Sequence, residues 1–153
     1  MQSAGILVYR LAKNGRPEIF LVHPGGPFFA RKDAGVWTIP KGGANSGEDA
    51  MSAAIREFEE ETGTSLNGDF IALGIVKQKA GKLVEAWAIE TDIDASKIIS
   101  NQFEIEWPPK SGKKRSYPEA DRAAWFTPEE AKLKINAAQA ELIDRLLIHL
   151  RLQ

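Results

Sequence analysis

The stretch from Gly42 to Gly63 leaves this chain little choice of local structure and an awkward charge distribution once that structure forms. Ser46 is expected as an N-cap, with Asp49 three residues on as an acidic variant of the capping box. Met51, Ile55 and Phe58 then fall at i, i+4 and i+7 on one face, and Gly63 suits the left-handed residue that ends a helix. That apolar stripe predicts a helix packed on a core. Its last turns, however, hold Glu57, Glu59, Glu60 and Glu61. A helix C-terminus carries partial negative charge, and like charges at i, i+4 repel by a few tenths of a kcal/mol each. Arg56 can pair with Glu60 at i+4 or Glu59 at i+3, but one arginine does not neutralise four acids. A solvated acidic helix end is one reading; a hard divalent cation such as Mg²⁺, which takes oxygen ligands, is the other.

The flanking segments predict a mixed α/β (α+β) domain. Residues 4–11 and 18–23 are β-rich and separated by the turn-like KNGRP, while 23–35 reads as a long Gly/Pro-punctuated loop. VWTIP is expected to be a short strand and Lys41-Gly42-Gly43 a turn into the helix. Residues 70–78 and 82–90 form an expected hairpin around Ala80-Gly81. A short strand and a basic, proline-bearing loop follow, then a strand at 123–126. Thr127-Pro128-Glu129-Glu130 is a helix start with N-cap, N1 proline and N3 glutamate. The last helix is expected from near Ala137 to Leu150, with Leu142, Leu146 and Leu150 buried. No repeat or linker interrupts residues 1–153, so one domain is expected.

Composition narrows the chemistry. A net charge of −1 over 153 residues provides no general field for nucleic acid or anionic membrane, so nucleic acid is an unlikely partner. The absence of cysteine removes disulfides, thiolate nucleophiles and Cys-ligated zinc, and the two histidines, His23 and His149, do not form a spaced metal pair. No charged-then-apolar leader opens the chain and no apolar run approaches the roughly 18 residues that span a bilayer. A cytoplasmic protein, monomer or homodimer, is the expectation.

The spacing around the acids carries a signature. From Gly42 there are five residues to Glu48 and seven more to Arg56, followed by Glu57-Phe58-Glu59-Glu60-Glu61-Thr62-Gly63-Thr64. This resembles the 23-residue box of the Nudix hydrolases at all seven fixed positions, with Thr64 where the family has an aliphatic residue. The resemblance implies the family's α/β/α sandwich with a mixed sheet between helices, and hydrolysis of a nucleoside diphosphate linked to another group with Mg²⁺ or Mn²⁺. It implies that Glu57, Glu60 and Glu61 bind metal, that Glu57 or Glu60 also orients or deprotonates the attacking water, and that Arg56 holds a glutamate in place. It puts Glu48 behind the ligands or on a metal-bound water, the Lys41 carbonyl among the ligands, and Glu59 on the surface. A later carboxylate, Glu119 or Asp121, completes many such sites.

The run Trp37 to Gly43 is similar to the Trp-x-x-Pro-Lys-Gly run of the diadenosine polyphosphate and diphosphoinositol polyphosphate branches. A dinucleoside polyphosphate such as diadenosine tetraphosphate is the implied substrate. Alternatives are nucleoside triphosphates (pool sanitation), diphosphoinositol polyphosphates, RNA 5′ ends, or binding without catalysis. The tyrosine found in many dinucleoside tetraphosphate hydrolases some 16–18 residues past the box is absent: Ala80, Gly81 and Lys82 stand there. Expected substrate contacts are Trp37, Lys41, Gly42, Gly43, Lys110 and Tyr117. Trp37, Tyr117, Phe28 and Phe29 are the aromatic rings available to stack a base, and Lys110, Lys113, Lys114 and Arg115 the cations available for phosphates.

Overall fold

A computed structural model describes residues 2–151. Its centre is a mixed sheet in the order β4–β5–β1–β2–β8, with β3 added to β1. The strands are β1 (Gln2–Leu11), β2 (Pro17–Pro24), β3 (Lys41–Gly43), β4 (Ile71–Lys77), β5 (Leu83–Glu90) and β8 (Ala120–Phe126). β1 and β5 run parallel and the other pairs antiparallel. A second, two-stranded sheet pairs β6 (Gln102–Glu106) with β7 (Lys114–Pro118).

Period two in the strands sorts the core into two layers. Ala4, Ile6, Val8, Phe20 and Val22 pack against Ala53, Ala54 and Phe58 of α1 (Ala50–Thr62). Leu7, Tyr9, Ile19 and Leu21 face the other way, onto Ala131 of α2 (Pro128–Lys134) and Leu142, Ile143 and Leu146 of α3 (Ala140–His149). The expected sandwich of helices around a mixed sheet is the fold observed. Among the described residues, no helix is long and apolar enough to cross a membrane.

The differences from expectation are local. The residue preceding α1 is Asp49 rather than Ser46, and its side chain makes no capping bond. Gly63 ends the helix as expected, in the left-handed region at φ 80°, with its N–H donating to the Glu59 carbonyl at 2.7 Å. The expected VWTIP strand is reduced to single bridges at Trp37 and Thr38. The expected turn at Lys41–Gly43 is instead a strand on β1, because tertiary pairing overrides glycine's preference for turns. The approach is close: a Cβ at Gly5 would lie 2.8 Å from both Ile39 Cδ1 and the Pro40 oxygen. The last helix starts at Ala140, after a 3₁₀ turn at Ala137–Gln139, and Leu150 is only partly buried. The Thr127 capping box and the β4–β5 hairpin match their expectation.

Candidate active site

α1 delivers its acids to the edge of β3, and the chain returns from β7 to add one more. Oxygen atoms of Glu57, Glu61 and Glu119 all lie within 4.8 Å of one another. Among the described residues Glu61 is the one buried carboxylate, at 7% exposure. Gly42 makes this possible: a Cβ there would stand 2.1 Å from the Glu57 carboxyl carbon, so only glycine leaves that carboxylate its place.

The grouping is electrostatically uncomfortable. Burial, then the neighbouring carboxylates of Glu119 and Glu57, push Glu61 up to about 8, with Lys41 opposing. Burial and the Glu60 charge raise Glu57 and Glu119 as well. Burial, in contrast, lowers Lys41, since a desolvated ammonium is disfavoured. Three buried or half-buried carboxylates converging on one point are a set of hard oxygen donors with excess negative charge, which fits Mg²⁺ or Mn²⁺ and does not fit a soft metal. The Lys41 backbone faces the same point. Ile6 N–H donates to the Pro40 oxygen, so the next pair, Gly5 and Lys41, is the non-bonded one of an antiparallel ladder. The Lys41 N–H and carbonyl therefore turn away from β1, and its N–H serves the Glu61 carboxylate.

Arg56 ties this site to the loop before the helix. Its guanidinium donates to Glu48 through Nε at 2.9 Å and Nη2 at 3.0 Å, to Glu60 at 3.0 Å, to Glu57 at 3.3 Å and to the Gly43 carbonyl at 2.8 Å. These bonds hold Glu48 below the usual carboxylate range, with help from the Asn45 N–H. Glu60 thus faces Arg56, and the close group is Glu57, Glu61 and Glu119. Glu59 pairs with Ser65 at the surface. Because lysine cannot reproduce the fork, Arg56→Lys should melt about 5 °C below the wild type and turn over more slowly. A thermal scan beside a rate measurement checks this; an unchanged melting temperature would mean the node carries no weight.

The remaining expected residues are scattered. Trp37 is 4% exposed, donates to Asp33 at 2.7 Å, and meets His23 and Phe126 edge-on while Arg122 lies over its ring. It is a core residue here with no open face for a base. Gly43 offers its carbonyl to Arg56. Tyr117 packs beside Phe103 in β7. Lys110 sits in the turn at the far end of the β6–β7 hairpin, five strand residues or about 17 Å beyond Glu119. Of the two candidates for the later carboxylate, Asp121 is engaged by His23 at 2.9 Å, whose other ring nitrogen meets the Lys32 carbonyl at 2.7 Å. This buried contact fastens the 23–35 loop to β8. Trp107, stacked edge-on against Phe28 at 5.2 Å, is the aromatic that sequence reading passed over.

The family model for the NUDIX domain matches residues 1–146. Arabidopsis thaliana Nudix hydrolase 7 is 32% identical over 114 residues, which are 69% of this chain and 38% of that protein. The RNA pyrophosphohydrolase of Erythrobacter litoralis is 50% identical over 42 residues, 27% of this chain and 26% of that one. The matches thus span well under two thirds of those relatives. Among solved structures, a binary complex of the C. elegans Ap4A hydrolase superposes with a TM-score of 0.69 at 24% identity, covering 97% of this chain and 98% of that one. The NUDIX domain of Shewanella oneidensis NrtR, complexed with ADP ribose, gives 0.66 at 12% identity, covering 98% and 88%. At these identities the structural likeness is one of fold.

Proposed function

The chain belongs to the Nudix family, and from that premise we propose that it is a divalent-cation-dependent pyrophosphohydrolase acting on a nucleoside polyphosphate, with a dinucleoside polyphosphate such as diadenosine tetraphosphate as substrate. The observation that carries this reading is the convergence of Glu57, Glu61 and Glu119. Glu57, Glu61 and Glu119, with the Lys41 carbonyl, would hold Mg²⁺ or Mn²⁺. When bound, such an ion neutralises phosphate charge and makes water a better nucleophile. Glu57, which feels the Glu60 charge and accepts from Arg56, is the base of choice. The water oxygen forms a bond to phosphorus, its proton passes to that carboxylate, and the bridging P–O bond breaks with its electron pair leaving on the departing phosphate. Arg56 is a positioning residue: by holding Glu48, Glu57 and Glu60 it fixes the base. No covalent nucleophile is needed, since phosphoryl transfer is mostly positioning and electrostatics.

A dinucleoside substrate is supported by whole-chain likeness in fold to the C. elegans Ap4A hydrolase and by the Trp37–Gly43 run. One second reading has a specific observation behind it. The short but high identity to an RNA pyrophosphohydrolase favours a triphosphorylated RNA 5′ end. Incubation with Mg²⁺ and a panel of diadenosine tetraphosphate, nucleoside triphosphates and a 5′-triphosphate oligoribonucleotide separates the two. ATP plus AMP from the first compound is the expected result; release of diphosphate from the RNA alone would establish the second reading, and an inert panel would sink both.

A further inference from the structure

The β6–β7 hairpin does not belong to the main sheet, yet its root is part of the site. Asn101 N–H donates to the Glu60 carbonyl at 2.6 Å, and the Asn101 carbonyl accepts from Glu119 at 2.8 Å. From there the hairpin projects outward with its side chains sorted. Phe103 lies opposite Tyr117 and Ile105 opposite Arg115, so these four share one face, and the strand period adds Trp107 to it. Glu104 and Glu106 take the other face, where Lys114 pairs with Glu104; Arg115 has no such partner among the described residues.

The loop after β2 lies along the aromatic face. Gly25 N–H donates to the Glu119 carbonyl at 2.9 Å, and a Cβ at Gly26 would run into the Phe103 ring at 2.9 Å. Phe28 then meets Trp107 edge to face and remains 54% exposed. Phe28 is three residues from Gly25, a span of at most about 10 Å. An exposed ring, supported by a tryptophan, thus stands toward the outer end of the hairpin, and the guanidinium of Arg115 lies on the same hairpin face between Trp107 and the root that carries Glu119. With a net charge of −1, attraction of an anion here depends on such local cations.

We propose that Phe28, backed by Trp107, and Arg115 form a subsite for the distal nucleoside of a dinucleoside polyphosphate, the base stacking on Phe28 and Arg115 meeting the phosphates between. This rests on the hydrolase reading above and specifies what its substrate carries beyond the scissile bond. Stacking of a base on a protein aromatic is tolerant of base identity, so the subsite selects for a second nucleoside and not for adenine.

The test compares diadenosine tetraphosphate with adenosine 5′-tetraphosphate, which has the same phosphates and no second nucleoside. Phe28→Ala should lower the ratio of kcat/KM for the two compounds about ten-fold, through KM for the dinucleotide. Phe28→Tyr, which keeps a ring, should restore the ratio. An unchanged ratio in Phe28→Ala, or a tyrosine variant as impaired as alanine, overturns the proposal. Should the wild type hydrolyse neither compound, the reading as a dinucleoside polyphosphate hydrolase fails, and the subsite is judged by binding. In EDTA, diadenosine tetraphosphate should quench tryptophan fluorescence in the wild type and much less in Trp107→Phe; no quenching, or equal quenching in both, rules the subsite out.

Discussion

Glu61→Gln should lose turnover on the order of 10³-fold and, without divalent cation at pH 8, melt above the wild type. The two effects share one cause. In the folded apoprotein the Glu61 carboxyl is raised to about 8 by burial and by the carboxylates of Glu119 and Glu57, against roughly 4.3 in an unfolded chain. Between those values the folded state holds more protons than the unfolded one, so stability falls as pH rises. The stabilising contribution of the protonated carboxyl is complete below about 4.3 and exhausted near 8. Glu57 and Glu119 are displaced in the same direction and extend the trend. Glutamine does not titrate, so the variant should gain about 2 kcal/mol over the wild type at pH 8, or 4–8 °C, and almost nothing at pH 4. Excess Mg²⁺ should reverse the order, since a ligand at 100 times its Kd stabilises the protein that binds it by about 2.7 kcal/mol. Differential scanning fluorimetry at several pH values, with EDTA or Mg²⁺, measures all of this. A wild type whose stability rises from pH 5 to 8 without metal would contradict the electrostatic account.

Gly42→Ala should separate activity from folding in a different way. The three atoms nearest a Cβ at this position would be those of the Glu57 carboxyl, 2.1 Å to its carbon and 2.4 Å to Oε1. That group ends a flexible side chain, so the fold gives way by moving it. Gly42 is not among the residues with positive φ, and alanine carries no backbone strain there. Stability should stay within about 1 kcal/mol of the wild type, and reduced freedom of the unfolded chain favours the variant. Turnover should fall about 10²-fold, because Glu57, proposed above as the base, would no longer meet the reacting water once displaced by an ångström. At Gly43 a Cβ would meet nothing within 4 Å, and alanine there should be felt far less. A Gly42→Ala enzyme retaining more than a tenth of wild-type turnover would mean that the position of Glu57 does not limit the reaction.

What the sequence disclosed was what local physics writes into neighbouring residues. The Gly63 stop and the Thr127 capping box depend on contacts within a turn or two, and each is read from spacing alone; of the expected α1 stripe only Phe58 is buried, Met51 and Ile55 being half-buried while Ala53 and Ala54 take the core side. That Glu57, Glu60 and Glu61 sit close together on one helix was legible in the same way, but Glu60 turns to Arg56, and Glu57 and Glu61 are the two that meet Glu119. Choosing between Glu119 and Asp121 required the chain's return path, since His23, far away in sequence, takes the aspartate. β3 was hidden because two glycines resemble a turn until β1 lies beside them. β7 was hidden because Lys114, Arg115 and Ser116 have none of the apolar alternation of a half-buried strand. Trp37 looked like a base platform by resemblance, yet the sheet and α2 enclose it. Nothing in a one-dimensional pattern pairs Phe28 with Trp107.

The central claim is that Glu57, Glu61 and Glu119 form one divalent-cation site. Titration of Mn²⁺ into the protein at pH 7.5, followed by the loss of the free ion's paramagnetic resonance signal, tests it directly. The account predicts saturable binding of at least one ion in the wild type and much weaker binding in each of Glu57→Gln, Glu61→Gln and Glu119→Gln. Binding that survives unchanged in Glu119→Gln, or a wild type that takes up no Mn²⁺, would contradict it.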